Sequence, residues 1–395
     1  MENKMRRFLN VLILVLMLCA LIFTGAMATE EEDDFFLHDI TPKPTEVPAP
    51  GTTPAPTATP EPTRAPDYLA DGSQYFIVTA VGDVTLGKSL GRDRFDLFGK
   101  ELKLHDDDPS FVFSNVKQIF ENDQLTIANF ECVLQPESDA RVPSNKRENS
   151  YLFLGEPRYV SALTENSVEA VALENNHIMD FGEQGRDSTI AILKDAGVVY
   201  SNHTTMGTYE VNGIRVAMFS HQTLNQPFTS EELAVIVKNE IAAVRDQYDL
   251  IIVSYHWGNE KDYCPVTKQV NLARATIDAG ADLVLGHHSH RINPIEVYNG
   301  KYIVYSLGNA SFAGHNKPAD MSTFIFQARY RMKDGEVMSS QFRIIPGRIS
   351  SRKDYNNFIL TPYDDKLSIE NVISVLKSNG KNLKYAADVY KLEWE

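Results

Sequence analysis

The chain has 395 residues, of which 43% are hydrophobic and 10% aromatic, enough to build one large domain or two ordinary ones. A formal net charge of −15 excludes a protein that holds nucleic acid through clustered Lys and Arg, because phosphate contacts dominate that kind of affinity. Three cysteines are too few for a disulfide scaffold.

The N-terminus, MENKMRRFLNVLILVLMLCALIFTGAMA, sets Lys4, Arg6 and Arg7 ahead of an apolar stretch from Phe8 to Phe23 and closes on Ala26-Met27-Ala28, which fits a signal-peptidase site. The stretch is also nearly long enough to span a bilayer, so residues 1–28 read as a signal peptide or a signal anchor. Cys19 follows Leu18 and belongs to the apolar stretch. In either case the remainder is expected outside the membrane, secreted or held at the extracellular face of the cell membrane. Residues 29–70 carry an acidic patch, TEEEDD, and then TPKPTEVPAPGTTPAPTATPEPTRAP, a composition that buries no surface and favours extended polyproline conformations. It reads as a disordered spacer. Beyond it only Cys132 and Cys264 remain, and their spacing does not decide whether they pair.

From about Tyr75, short apolar runs alternate with helical patterns: QYFIVTAVGD, QLTIANFECVL, VEAVALENNH, GIRVAMFSHQ, DLIIVSYHWG, ADLVLGHHSH and KYIVYSLGN. Between them the spacing predicts helices over Pro157 to Asn166, Gln184 to Ala196, Glu231 to Gln247 and Thr267 to Ala279, the last stopped by Gly280. Such alternation indicates an α/β domain. After Asn309 the segments TFIFQARYRM, DGEV and SSQFRIIPGRI read as antiparallel hairpin strands, and a short helix around Ser368 to Ser378 follows.

Six of the seven runs end in metal-binding or proton-transfer residues: Asp83, Glu131, Asn176 with His177, His221, His256, and His287 with His288 and His290. Ligands collect at the carboxyl ends of strands, where loops converge on a rigid scaffold. Asp83 between two glycines reads equally as a turn residue, and His177 alone as a structural histidine. Glu131 after an apolar strand is costly to bury without a positive partner, a role that a metal would fill. Asp180 lies one helical turn beyond His177. His221 has no comparable neighbours and is left as structural, and Trp257 as packing. On an extended segment, His288 and His290 would point to one side, with His287 opposite, toward substrate or in support of the ligands.

In this order GDVTLG, NFE, NNHIMDFG, HWGNE, GHHSH and YSLGN resemble the CapA-type family of poly-gamma-glutamate capsule biosynthesis proteins, itself similar in fold to the calcineurin-like metallophosphatases. The resemblance covers roughly Tyr75 to Phe312. It implies a two-sheet α/β sandwich, a CapA-like domain over 71–345 with a C-terminal extension, 346–395, packed on it. It further implies one or two divalent ions, with Mn, Fe and Zn not distinguished, held by Asp83, Glu131, Asn176, His256, His288 and His290. His177 takes the place of a general acid near the leaving group, oriented by Asp180, while Trp257, Glu260, His287 and Asn309 line or support the site. There are departures: Thr85 stands where the phosphatases have a histidine ligand, Glu131 where they have Asp, Ser289 where the family usually has Pro, and Ala310 where Phe usually follows YSLGN.

The implied activity is that of a metal-dependent hydrolase or transferase acting on a cell-envelope polymer or its precursor. The alternative, from a different class, is a non-catalytic accessory subunit docked on membrane subunits of a polymer synthase.

Overall fold

A computed structural model of the chain describes residues 68–90, 95–144, 150–224 and 226–394. The signal or anchor read over 1–28, and the spacer as far as residue 67, lie outside the described residues. Among the described residues no helix is long and apolar enough to cross a membrane.

In chain order the strands are β1 (Gln74–Val84), β2 (Lys88–Ser89), β3 (Leu125–Phe130), β4 (Val133–Leu134), β5 (Phe153–Gly155), β6 (Ala170–Ala172), β7 (Val199–Ser201), β8 (Gly207–Val211) and β9 (Ile214–Gln222). They continue as β10 (Leu250–His256), β11 (Leu283–His287), β12 (Ile295–Tyr298), β13 (Lys301–Val304), β14 (Asn309–Ser311), β15 (Ser322–Lys333), β16 (Glu336–Arg348) and β17 (Thr361–Pro362). One sheet runs β17-β16-β15-β1-β3-β6-β7 with β14 also on β1, the second runs β12-β13-β11-β10-β9-β8, and β2-β5-β4 form a small third sheet. The inner strands of both large sheets pair in parallel, and the hairpin β15–β16 closes the first sheet antiparallel to β1.

Alternation of side chains along each strand separates the apolar residues onto two faces. Phe76, Val78, Ala80 and Ile127 of the first sheet share one core with Val216, Met218, Ile252, Leu283 and Leu285 of the second, so the two sheets stack face to face. The intervening residues Ala217, Ile251, Val253 and Val284 face outward into a second core with the helices Ser230–Val244 and Thr267–Asp278. This is the two-sheet α/β sandwich expected from the sequence.

The helices are α1 (Leu97–Leu102), α2 (Lys117–Phe120), α3 (Ser161–Thr164), α4 (Gly182–Asp195), α5 (Ser230–Val244), α6 (Thr267–Asp278) and α7 (Lys366–Gly380). Four of these match the predicted spans closely. The helix expected over Pro157 to Asn166 is instead a 3-10 turn, Pro157–Val160, followed by the single turn α3. Capping by Thr229, which accepts from the Glu232 N–H at 3.2 Å while Glu232 accepts from the Thr229 N–H at 2.8 Å, fixes the start of α5.

Strand β16 continues through residue 345, and the last segment is stitched into the second sheet by Val297 N–H to the Tyr385 carbonyl and Ala387 N–H to the Ile295 carbonyl. Cys132 is buried, Cys264 is exposed, and both thiols are free.

Two glycines let the sheets close at the ligand-bearing strand ends. A Cβ on Gly82 would lie 1.9 Å from the Gly308 carbonyl oxygen, and one on Gly286 would lie 2.0 Å from that of Tyr305. Any larger residue would push β14 off β1, or the Tyr305 segment off β11, and displace Asp83 or His287 with it.

Candidate metal centre

The carboxyl ends of β1, β3, β10 and β11 come together. Asp83 sits near the end of β1, Glu131 directly after β3, His256 at the end of β10, and His288 and His290 in the turn after β11. Ligand atoms of Glu131, His256 and His288 lie within 4.8 Å of one another, as do those of Asp83, Glu131 and His290. Glu131 belongs to both groups. His256 Nε2 is 3.4 Å from Glu131 Oε1, His290 Nδ1 is 3.1 Å from Asp83 Oδ2 and 4.0 Å from Glu131 Oε2, and the His256 and His288 rings are 4.7 Å apart.

The histidine turn does not have the extended form expected from its sequence. Strand β11 ends at His287, and His288 and His290 take positive φ, 91° and 52°, so the two imidazoles converge through a left-handed turn and not through strand alternation. His287 is buried, with Nδ1 3.5 Å from Asp83 Oδ1.

Asn175 fixes the loop carrying Asn176 and His177. Its Oδ1 accepts the N–H groups of His177 at 3.1 Å and Ile178 at 3.0 Å, while its Nδ2 donates to the Phe130 carbonyl at 2.9 Å, next to Glu131. His177 Nε2 then lies 4.0 Å from Glu131 Oε1, and its Nδ1 pairs with Asp180 Oδ2 at 2.8 Å. Asp180 is itself held by accepting the Phe153 N–H at 2.9 Å, and the Phe153 ring packs 4.8 Å from the imidazole.

The contacts of Asn129 were not singled out from sequence. Asn129 donates to Asp83 Oδ1 at 2.8 Å and its Nδ2 is 3.3 Å from His256 Nδ1. A polar residue two positions before Glu131 in an apolar strand was the available signal. Asn309, paired with Asp83 across β14 and β1, places its Oδ1 2.9 Å from His290 Nδ1. Thr85 turns away from ligation: its Oγ1 accepts the Ala313 N–H at 2.7 Å. Trp257 lies in the core behind the site, its indole N–H donating to the Tyr305 carbonyl at 3.0 Å and its ring stacked 4.6 Å from Tyr255. Glu260 is exposed, and its charge acts on Glu131, His288 and His290. His221 stands apart, its Nε2 2.9 Å from Glu240.

The electrostatics are those of a set of donors arranged around a cation. Burial, followed by the charge of Asp83, pushes the Glu131 carboxyl up to about 8. Burial opposes ionisation of Asp83, but the contacts of His287 and His290 outweigh it and hold that carboxyl well below its usual range. Burial and neighbouring imidazoles press His256 well below its ordinary value and His288 down to about 4, so both rings are neutral and have a lone pair to offer.

Both oxygens of Glu131, Asn176 Oδ1, His256 Nε2 and His288 Nδ1 are buried without a hydrogen-bond partner. Buried polar atoms are normally paired, and a carboxylate left alone in a dry interior costs several kcal/mol. The donor atoms of Glu131, His256 and His288 lie close enough together for one divalent ion to satisfy them, and imidazole and carboxylate suit an ion of borderline hardness. The residues present therefore fit a metal.

The family model described as bacterial capsule synthesis protein PGA_cap matches residues 77–313, more than half of the chain. Capsule biosynthesis protein CapA of Bacillus anthracis is 29% identical over 255 residues, 60% of this chain and 59% of that protein. PGA biosynthesis protein CapA of Bacillus subtilis is 31% identical over 225 residues, 51% of this chain and 56% of that protein. The chain thus spans less than two thirds of the length of the curated relatives it matches. A solved structure titled as a novel phosphatase from Mycoplasma pneumoniae aligns with 76% of the chain and 99% of its own at 12% identity and a TM-score of 0.42. With its six motifs in order inside the matched span, the chain belongs to the bacterial capsule synthesis protein family PGA_cap.

Proposed function

We propose that the chain is a metal-dependent hydrolase or transferase acting on a cell-envelope polymer, poly-gamma-glutamate or its precursor, outside the membrane. The observation that supports this reading is the set of buried, unpartnered donors on Glu131, Asn176, His256 and His288, completed by Asp83 and His290. These six residues would hold one or two divalent ions, Glu131 being common to both groups. When bound, a divalent ion supplies positive charge that polarises a scissile ester or amide and makes water more acidic.

The chain's own residues divide the remaining work. His177 holds a proton at Nε2 at the edge of the ligand set, and Asp180 fixes the ring through Nδ1, raising its affinity for that proton against the opposing effect of burial. This is the geometry of a general acid that protonates a leaving atom. Asn129 and Asn309 orient ligands, and Phe153 excludes water from one side of His177.

Elemental analysis of the purified full chain, followed by turnover assays on phosphoesters and gamma-glutamyl peptides, tests the reading. Stoichiometric metal that disappears in Glu131→Gln, together with turnover on one substrate class, is the expected result. Absence of bound metal at neutral pH would overturn it.

A second reading, an accessory subunit docked on membrane subunits of a polymer synthase, draws support from Mycobacterium tuberculosis relatives described as probable polyglutamine synthesis accessory proteins, 29% identical over 226 residues. Metal without turnover on either class would favour it.

A further inference from the structure

Glu174 is a buried carboxylate that the metal chemistry leaves unused, although it stands two residues before Asn176. A carboxylate is costly to bury unless hydrogen bonds replace the lost water, so its partners matter. Its Oε2 lies 2.6 Å from Nδ1 of the exposed His203, whose N–H also donates to it at 3.2 Å. Its Oε1 accepts from Gln222 Nε2 at 2.7 Å, and its own N–H donates to Ser220 Oγ at 3.3 Å.

Ser220 and Gln222 belong to β9, in the other large sheet. Side chains alternate along a strand, and Val216 and Met218 of β9 fill the core between the sheets. The same face continues through Ser220 and Gln222, changing from apolar to polar toward the end of the strand. Both polar side chains cross to Glu174, and Gln222 Nε2 also lies 3.3 Å from the Asn175 carbonyl.

The ligand set is divided between the same two sheets. Asp83, Glu131 and Asn176 come from the ends of β1, β3 and β6, while His256, His288 and His290 come from the ends of β10 and β11. Gln222 pairs with His256 across β9 and β10, and the next N–H, of Thr223, donates to the His256 carbonyl at 3.1 Å. On its other side Gln222 grips Asn175, whose side chain holds the Phe130 carbonyl beside Glu131 and the N–H groups of His177 and Ile178. Asn176 Oδ1 is buried with no hydrogen-bond partner of its own, so its direction depends on the backbone to either side.

We propose that Gln222 and Glu174 are positioning residues, a clamp that locks the loop of Asn176 and His177 onto the second sheet and so holds the ligands of the two sheets at one separation. The clamp rests on the reading of Asn176 as a ligand.

Hydrogen exchange followed by mass spectrometry on the full chain, stripped of metal, tests the lock. Gln222→Leu removes the donor at similar volume, and Gln222→Glu sets a carboxylate against that of Glu174. Amides over 175–181 should exchange about tenfold faster in the first variant and faster still in the second, with the rest of the chain at wild-type rates. Metal affinity by chelator competition should fall about tenfold or more in each. Adding Glu174→Gln to Gln222→Glu should recover part of both losses, because an amide again faces a carboxylate, whereas independent effects would add. Wild-type exchange over 175–181 in Gln222→Glu, acceleration spread over the whole chain, unchanged metal affinity, or additive losses in the double variant would each overturn the proposal. Metal content of the wild-type chain is read separately. A wild-type chain without metal defeats the metal-centre reading, while the exchange rates still decide whether the loop is clamped.

Discussion

Asn129 donates through its side-chain amide to Asp83 Oδ1 at 2.8 Å, and the same nitrogen is 3.3 Å from His256 Nδ1. One amide thus touches a ligand from each of the two donor groups. Removing such an orienting contact typically lowers metal affinity by about 10–100-fold. Asn129→Ala should show that loss in a chelator competition, with circular dichroism unchanged. Unaltered affinity would mean that the backbone alone aims Asp83 and His256.

Thr85 gives the opposite expectation. Its hydroxyl accepts the Ala313 N–H at 2.7 Å and is fully buried, so Thr85→Val strands a backbone donor at a cost of about 1–3 kcal/mol. Urea unfolding should register the loss, while metal stoichiometry should stay at the wild-type value. A drop in metal content would show that Thr85 contributes to ligation.

His177→Ala should retain the metal and lose about 10²–10⁴ in turnover, the usual contribution of a positioned acid. The loss should be greatest for substrates with poor leaving groups, because those need the proton most. Asp180→Asn should show a smaller loss of the same kind. Equal loss for good and poor leaving groups would remove His177 from proton transfer.

A pH dependence of stability arises away from the metal. Asp123 and Glu169 flank Thr126, whose hydroxyl donates to Asp123 Oδ2 and whose N–H donates to Glu169 Oε2, each at 2.7 Å. Burial, with the charge of Glu169, raises Asp123 well above its usual range, and burial pushes Glu169 up to about 7. The folded chain therefore binds more protons here than the unfolded chain, whose carboxyls titrate near 4. Their contribution to stability is complete below about pH 4 and is lost as pH rises through about 7. The fall in melting temperature from mildly acidic to alkaline buffer should be smaller in Glu169→Gln than in wild type. Identical slopes would show that the pair does not titrate in this range.

Much of this was legible in the residues. Continuous apolar runs such as DLIIVSYHWG and ADLVLGHHSH marked parallel strands, and their terminal residues marked the site, because backbone pattern and chemistry coincide at strand ends. The span Pro157 to Asn166 is helical as far as Thr164, but it begins as a 3-10 turn, a distinction that periodicity does not reveal in so short a segment. His288 and His290 were expected to converge by alternation, whereas positive φ at both brings them together, a choice that tertiary packing makes and spacing does not reveal. Asn129 and Asn175 passed unnoticed because an amide within an apolar run has no distinctive partner until the strands are assembled.

Glu131 is common to both donor groups, and this makes ion uptake a linked equilibrium. A first ion would have to displace the proton that burial and Asp83 favour on that carboxyl. A second ion would meet a carboxylate already ionised, but with its charge partly neutralised. Whatever factor the first imposes on the second, the second imposes on the first. Loading should consequently depend on pH and on occupancy together, so a titration followed by proton release and one followed by bound metal would trace different curves.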